Sequence, residues 1–123
     1  MNTSWWRNVT HFTAKEFACP ETGEALVSCD LVVMLDKART FAATPFTITS
    51  GYRSPAHNRK VGGVPGSAHT KGLAADIAAP NNKARHDIVR GLIEAGCVRI
   101  GIGKGFVHAD VDLDKPWPRL WTY

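Results

Sequence analysis

The sequence predicts an α+β fold: a small antiparallel or mixed sheet with helices packed on one face and a polar cleft on the other. Three observations predict it. Residues 46–50, 73–78, 98–102 and 106–112 read as short strands, either alternating apolar and polar residues or running apolar throughout. Two longer segments place apolar residues at helical spacing. Glycine, proline and asparagine stand where consecutive elements have to reverse direction.

Thr13 and Glu16 open like a capping box, the threonine serving the backbone N–H of the first turn and the glutamate reaching back, so a short helix runs through Phe17. Pro20 to Gly23 end it. From about Asp30 to Ala42, Leu31, Leu35 and Ala38 share one helical face, widened by Val32, Val33 and Met34, and these are core residues. Phe46 to Ser50 alternates as a strand whose end delivers Arg53 to the cleft. Ser54 and Pro55 then suit a helix start through about Lys60, because proline at the first helical position gives up no hydrogen bond. The glycine-rich stretch Val61 to Gly66 has no Gly-Lys-Ser/Thr ending and no dinucleotide spacing, so it reads as a ligand-contacting loop and not a phosphate cradle. Leu73 to Ile77 is a short buried strand. Asn81 is an N-cap for a helix from Lys83 to Ala95, with Ala84, Ile88, Leu92 and Ala95 on one side, His86 on the polar side and Gly96 as the stop. Val98 to Ile102 pairs with residues 106–112 through a hairpin turn at Gly103 to Gly105. Trp117, Trp121 and Tyr123, like Trp5 and Trp6, are expected to close the ends of the core, since large aromatics usually bury their area, with an aromatic binding patch as the alternative.

With 123 residues, 44% hydrophobic and 21% charged, one domain spanning residues 1–123 is expected. No apolar stretch approaches the ~20 residues that span a bilayer, and residues 1–7 lack the apolar core and cleavage site of a secretory signal. The expectation is a monomer made in the cytoplasm without a signal peptide and without membrane insertion. A net charge of +4 and a pI near 9.2 favour anionic polymers. The basic residues are scattered, however, without the dense tract of a nucleic-acid module, so no nucleic-acid partner is expected. Cys19, Cys29 and Cys97 form no CxxC pair; Cys19 and Cys29 could bridge if oxidised, but reduced thiols fit a cytoplasmic product better.

The chemistry concentrates in His69, Asp76 and His108. An extended chain advances about 3.3 Å per residue, so His69 and Asp76 would lie more than ~20 Å apart on one straight strand. They share an ion only if the chain folds back, and Thr70, Lys71 and Gly72 supply that reversal. Asp76 is the one charge in an apolar run; a buried carboxylate needs a partner, which a metal or Lys71 could provide. Along the last strand, alternation puts Val107, Ala109 and Val111 on one face and Phe106, His108, Asp110 and Asp112 on the other. Three nitrogen or oxygen ligands with a fourth position left open describe a catalytic metal and not a structural one. His57 has no spaced partner and is expected at the surface or behind the site.

Taken in order, Ile48 to Pro55 with Arg53, then Asn58, Val61 to His69 with Ser67, Gly72, Asp76, and Phe106 to Asp110 resemble the D-alanyl-D-alanine carboxypeptidase and L-alanyl-D-glutamate endopeptidase superfamily of zinc peptidases. That superfamily includes many phage endolysins and shares its fold with the hedgehog signalling domain. The likeness spans about residues 11–113. It implies that His69, Asp76 and His108 hold Zn2+, that Arg53 faces the substrate carbonyl, and that Ser67 lies near the bound peptide. For the last two, a loop salt bridge and a turn hydroxyl are the competing structural roles. The implied substrate is a peptidoglycan stem peptide, cut at L-Ala-D-Glu or at a D-Ala terminus during wall turnover or phage-type lysis, after release to the wall. One position departs from the pattern. Many members carry Glu or Asp three residues before the last histidine as general base, and here that residue is Gly105. Asp110 is the nearest carboxylate on the right face and is the candidate to orient or deprotonate water. The missing acid also admits a non-catalytic, metal-containing binding module of the same fold.

Overall fold

The structure is a computed structural model and describes residues 3–123. Its helices are α1 (Cys29–Ala42), α2 (Pro55–Lys60) and α3 (Asn82–Glu94), and its strands β1 (Ile48–Ser50), β2 (Ala74–Ala78), β3 (Arg99–Ile102), β4 (Phe106–Asp110) and β5 (Arg119–Thr122). The strands form one sheet in the order β1-β2-β4-β3-β5, antiparallel except for the β3/β5 pair. A mixed α+β architecture is therefore confirmed.

Alternation along β4 dresses the two faces. Val107 and Ala109 are fully buried and stand opposite Ile77 and Ala75 of β2 and Ile102 and Ile100 of β3. Onto this face α1 and α3 bring Leu31, Leu35, Ala38, Ile88 and Leu92, completing the core. The two helices cross closely because Gly91 has no Cβ; one there would overlap the Ala38 carbonyl and lie 2.7 Å from Ala42 Cβ. Asp76, His108 and Asp110 alternate to the opposite face.

Local chemistry sets the element ends. The Thr13 capping box closes through Thr13 N to Glu16 Oε2 at 2.7 Å, although the turn it opens, Ala14–Phe17, is 3₁₀. Ser28, Ser54 and Asn81 cap α1, α2 and α3 by accepting from Leu31, His57 and Ala84 backbone N–H groups. Three expectations change. β4 ends at Asp110 and not at residue 112: Val111 N still bonds its cross-strand neighbour Leu73, but Asp112 N donates to Asp110 Oδ1 and not to the sheet. Residues 119–122 form a strand that lacked any buried alternation to announce it. Trp5 and Trp6 do pack against the core, but Trp117 and Tyr123 are exposed and Trp121 is half-buried on the polar face. All three cysteines are free, and among the described residues no helix is long and apolar enough to cross a membrane.

Candidate metal centre

A single rung of the sheet carries the polar residues. Ser50 is in register with Asp76, Asp76 with His108, His108 with Gly101, and Gly101 with Trp121. Residues opposite one another on adjacent strands share a face, so Asp76 and His108 are direct neighbours. His69 reaches them from a 3₁₀ turn, Ala68–Lys71, whose start Ser67 caps by accepting from His69 N at 3.2 Å. Gly72 ends the turn at φ 71°, and a Cβ there would overlap the Leu26 carbonyl. The reversal between His69 and Asp76 thus needs glycine twice over, for its backbone and for its space.

Each imidazole is oriented from outside. His69 Nδ1 lies 2.8 Å from the Gly51 carbonyl, which can only accept, so Nδ1 donates to it, and Nε2 stands 3.3 Å from Asp76 Oδ1. His108 Nε2 is 2.7 Å from Asp110 Oδ2, and its Nδ1 faces Asp76 Oδ1 at 3.0 Å. Ligand atoms of His69, Asp76 and His108 all lie within 4.8 Å of one another. Donors bound at about 2.0–2.1 Å around a tetrahedral ion lie roughly 3.3 Å apart, so the observed spacings of 3.0 and 3.3 Å fit a metal ion at the centre of the three.

Burial opposes the charge on Asp76, but hydrogen bonds with His108 and His69 outweigh it and hold the carboxyl well below its usual range. Burial alone would lower the His108 pKa; the Asp110 and Asp76 carboxylates reverse this and raise it. Asp110 is 1% exposed. Its Oδ1 accepts from Arg99 Nε at 2.8 Å and Asp112 N at 3.1 Å, while Oδ2 meets His108, and these contacts keep it ionised despite its burial. Arg99 in turn donates to the Pro116 carbonyl and lies 4.9 Å over the Trp121 ring.

Arg53 stands at the mouth. Its Nε donates to Ser50 Oγ at 3.0 Å, Nη1 to Asn58 Oδ1 at 3.1 Å, and Nη2 reaches Asp76 Oδ2 at 3.5 Å. Asn58 also ties down the glycine-rich loop through the Val64 carbonyl. The resulting cleft has a volume of about 430 Å³, and Arg53, Ser67, His69, Asp76, His108 and Asp110 all line it, with Val64, Trp121 and Tyr123. All six residues singled out in the sequence therefore meet at one place. The others do not: Lys71 pairs with the buried Asp112 and not with Asp76, His57 pairs with Glu21, and His86 is exposed beside Asp87. A larger groove of about 550 Å³ along α3 has its charged groups tied to neighbours, such as Glu94 to Arg90, and brings no such cluster together.

Arg99 and Trp121 were not legible as site residues. Arg99 had a signal in a lone base within an apolar strand set to pair with His-x-Asp; Trp121 had none beyond being aromatic.

No curated protein matches the chain significantly. A model of the family described as Peptidase M15 matches residues 10–110, a stretch that contains Arg53, Ser67, all three candidate metal ligands and Asp110. The chain belongs to the Peptidase M15 family.

Proposed function

We propose that the protein is a zinc-dependent peptidoglycan peptidase that hydrolyses an amide bond of the stem peptide, of the L-Ala-D-Glu endopeptidase or D-Ala-D-Ala carboxypeptidase type, in wall turnover or phage-type lysis. The observation that carries this reading is the convergence of two imidazoles and a carboxylate, with each imidazole's outer nitrogen already engaged, beside an arginine in an open cleft. His69, Asp76 and His108 would hold the zinc, which supplies a Lewis acid for the scissile carbonyl and lowers the pKa of water toward ~7.

The chain's own groups do the rest. Arg53 has five N–H donors, and its three contacts to Ser50, Asn58 and Asp76 leave N–H groups free to face a carbonyl oxygen that gains charge during hydrolysis. Ser67 Oγ accepts from His69 N, so its own O–H is free to donate to a bound peptide. Asp110 has donors on both oxygens, a geometry suited to orienting His108 more than to receiving a proton. The absence of an acid at Gly105 has a local cause: the residue sits at φ 82° in the β3–β4 turn, where glycine is favoured.

One observation supports the second reading, a metal-containing binding module. The carboxylates lining the cleft are Asp76 and Asp110, and neither is free to act as base. Digestion of defined muropeptides by zinc-loaded protein, followed by mass spectrometry, separates the two. A peptidase releases stem-peptide fragments, and His69→Ala abolishes both release and bound metal. A folded, zinc-loaded wild type that cuts no muropeptide refutes the peptidase and leaves the binding module.

A further inference from the structure

We propose that the C-terminal strand is a working wall of this site, with Trp121 a positioning residue that fixes the His108 ring from the side opposite Asp76. The inference rests on the reading of His69, Asp76 and His108 as a metal site. It concerns residues beyond the stretch that defines the family, since the match ends at residue 110 and β5 begins at Arg119.

The argument starts at Gly101. On the rung that runs from Asp76 through His108, the next position toward β5 has no side chain, so a gap opens beside the His108 ring. Trp121, the following residue on that rung, leans over the glycine and fills the gap. A Cβ at residue 101 would lie 2.7 Å from Trp121 Cε2 and Nε1 and 2.9 Å from Tyr123 Cε2. Those distances are shorter than a Cβ contact tolerates, so a side chain at residue 101 would displace the indole. The indole ends 5.6 Å from His108, centroid to centroid, at 50° between planes.

It also meets Arg99, whose guanidinium lies 4.9 Å over the same ring and donates through Nε to Asp110, the partner of His108 Nε2. Trp121 therefore acts on His108 twice: directly on the flank of the ring, and indirectly by covering the Arg99–Asp110 pair that holds its far nitrogen. Backbone pairing keeps the indole there, with Arg119 N donating to the Val98 carbonyl at 2.8 Å and Tyr123 N to the Ile102 carbonyl at 3.2 Å. Removing the indole would expose the ring to water on the Gly101 side and release it to turn. Partners that orient a metal-binding histidine are typically worth about 10–100-fold in metal affinity.

The test compares wild type, Trp121→Ala, Trp121→Phe and Gly101→Ala, using zinc affinity from chelator competition and the visible spectrum of the cobalt-loaded protein. Trp121→Ala and Gly101→Ala, the second of which displaces the indole without deleting it, should weaken zinc by about 10-fold or more and alter the cobalt spectrum. Trp121→Phe, which keeps a ring over the glycine, should stay close to wild type in both. Metal-free thermal midpoints are measured in parallel, because a purely structural edge strand would move the midpoint and leave affinity and spectrum alone. If Trp121→Ala does not fold, Gly101→Ala against Trp121→Phe decides alone. Unchanged affinity and spectrum in the folded variants overturn the proposal, whereas a wild type that binds neither ion overturns the metal-site reading itself.

Discussion

Replacing Arg99 by methionine should be among the most damaging single changes near the cleft, and its cost can be worked from the contacts. Asp110 is 1% exposed and receives three donors, of which Arg99 Nε at 2.8 Å brings the full positive charge. Methionine keeps most of the volume and removes that charge, leaving a buried carboxylate to an imidazole and one backbone N–H. Breaking a buried pair by deleting one partner typically costs about 3–5 kcal/mol, and since Arg99 retains 11% side-chain exposure, the low end, ~3 kcal/mol, is the expectation. For a domain of this size that corresponds to a fall of roughly 10 °C in the thermal midpoint. Part of the loss comes from contacts unrelated to Asp110, namely the Pro116 carbonyl and the face of Trp121, the latter worth about 1 kcal/mol. A double-mutant cycle removes this contribution: in Arg99→Met/Asp110→Asn the orphaned charge is gone, and the variant should recover about 1–2 kcal/mol relative to the sum of the single changes. Thermal and urea unfolding of the metal-free proteins at pH 7, followed by circular dichroism, measure all four corners. A single variant within about 0.5 kcal/mol of wild type, or a cycle with no coupling, would refute the claim that Arg99 sustains the Asp110 charge.

The contribution of His108 to the stability of the metal-free protein should fall as pH rises from 6 to 8. The folded-state pKa of His108 is raised above its ordinary value of about 6.5, so its contribution is complete below that value and disappears as pH passes through the folded pKa. Asp76 and Asp110 are depressed, so theirs are present above ~3.9 and vanish only in acid. Cys19 works against His108 in this window: burial would raise it, but hydrogen bonding with the backbone of Ser54, Thr22 and Glu21 brings it to about 6, so its contribution grows with pH. The quantity to measure is therefore the thermal midpoint of wild type minus that of His108→Gln, which cancels Cys19; a difference that does not shrink between pH 6 and 8 contradicts the assignment. Gly72→Ala should cost about 1–2 kcal/mol from its φ of 71° alone, more from overlap with the Leu26 carbonyl, and should weaken zinc binding by moving His69 against Asp76. A urea midpoint equal to that of wild type would refute the tight fit of this turn.

The helices and the meeting of the three candidate ligands were legible because their signals are local. Leu31, Leu35 and Ala38, or Ile88 and Leu92, declare a buried face by spacing alone, and the caps Ser54 and Asn81 sit where the first-turn N–H groups need them. His69, Asp76 and His108 were readable because the turn at Gly72 and the alternation along β4 follow from residue type. What escaped depends on neighbours distant in sequence. Alternation put Asp110 and Asp112 on one face, yet Asp110 captures the Asp112 N–H, the strand ends there, and Asp112 turns away to Lys71 and Lys115. Periodicity places Asp110 on a face but says nothing of Arg99 on the next strand, whose guanidinium decides what that carboxylate is free to do. β5 carries only one partly covered side chain among Arg119, Leu120, Trp121 and Thr122, so no pattern marks it, and only its pairing with β3 makes it a strand.

The pairing of Asp76 with His108 joins residues 32 apart in sequence, with all of α3 and β3 between them. Closing such a span costs chain entropy before any contact repays it, so this rung forms late relative to local turns. His69 and Asp76 can approach each other in a half-made chain, but the third donor arrives only when β4 slots between β2 and β3. Tight zinc uptake during refolding should therefore lag the recovery of helical signal, and its onset would time the moment the central strand is inserted.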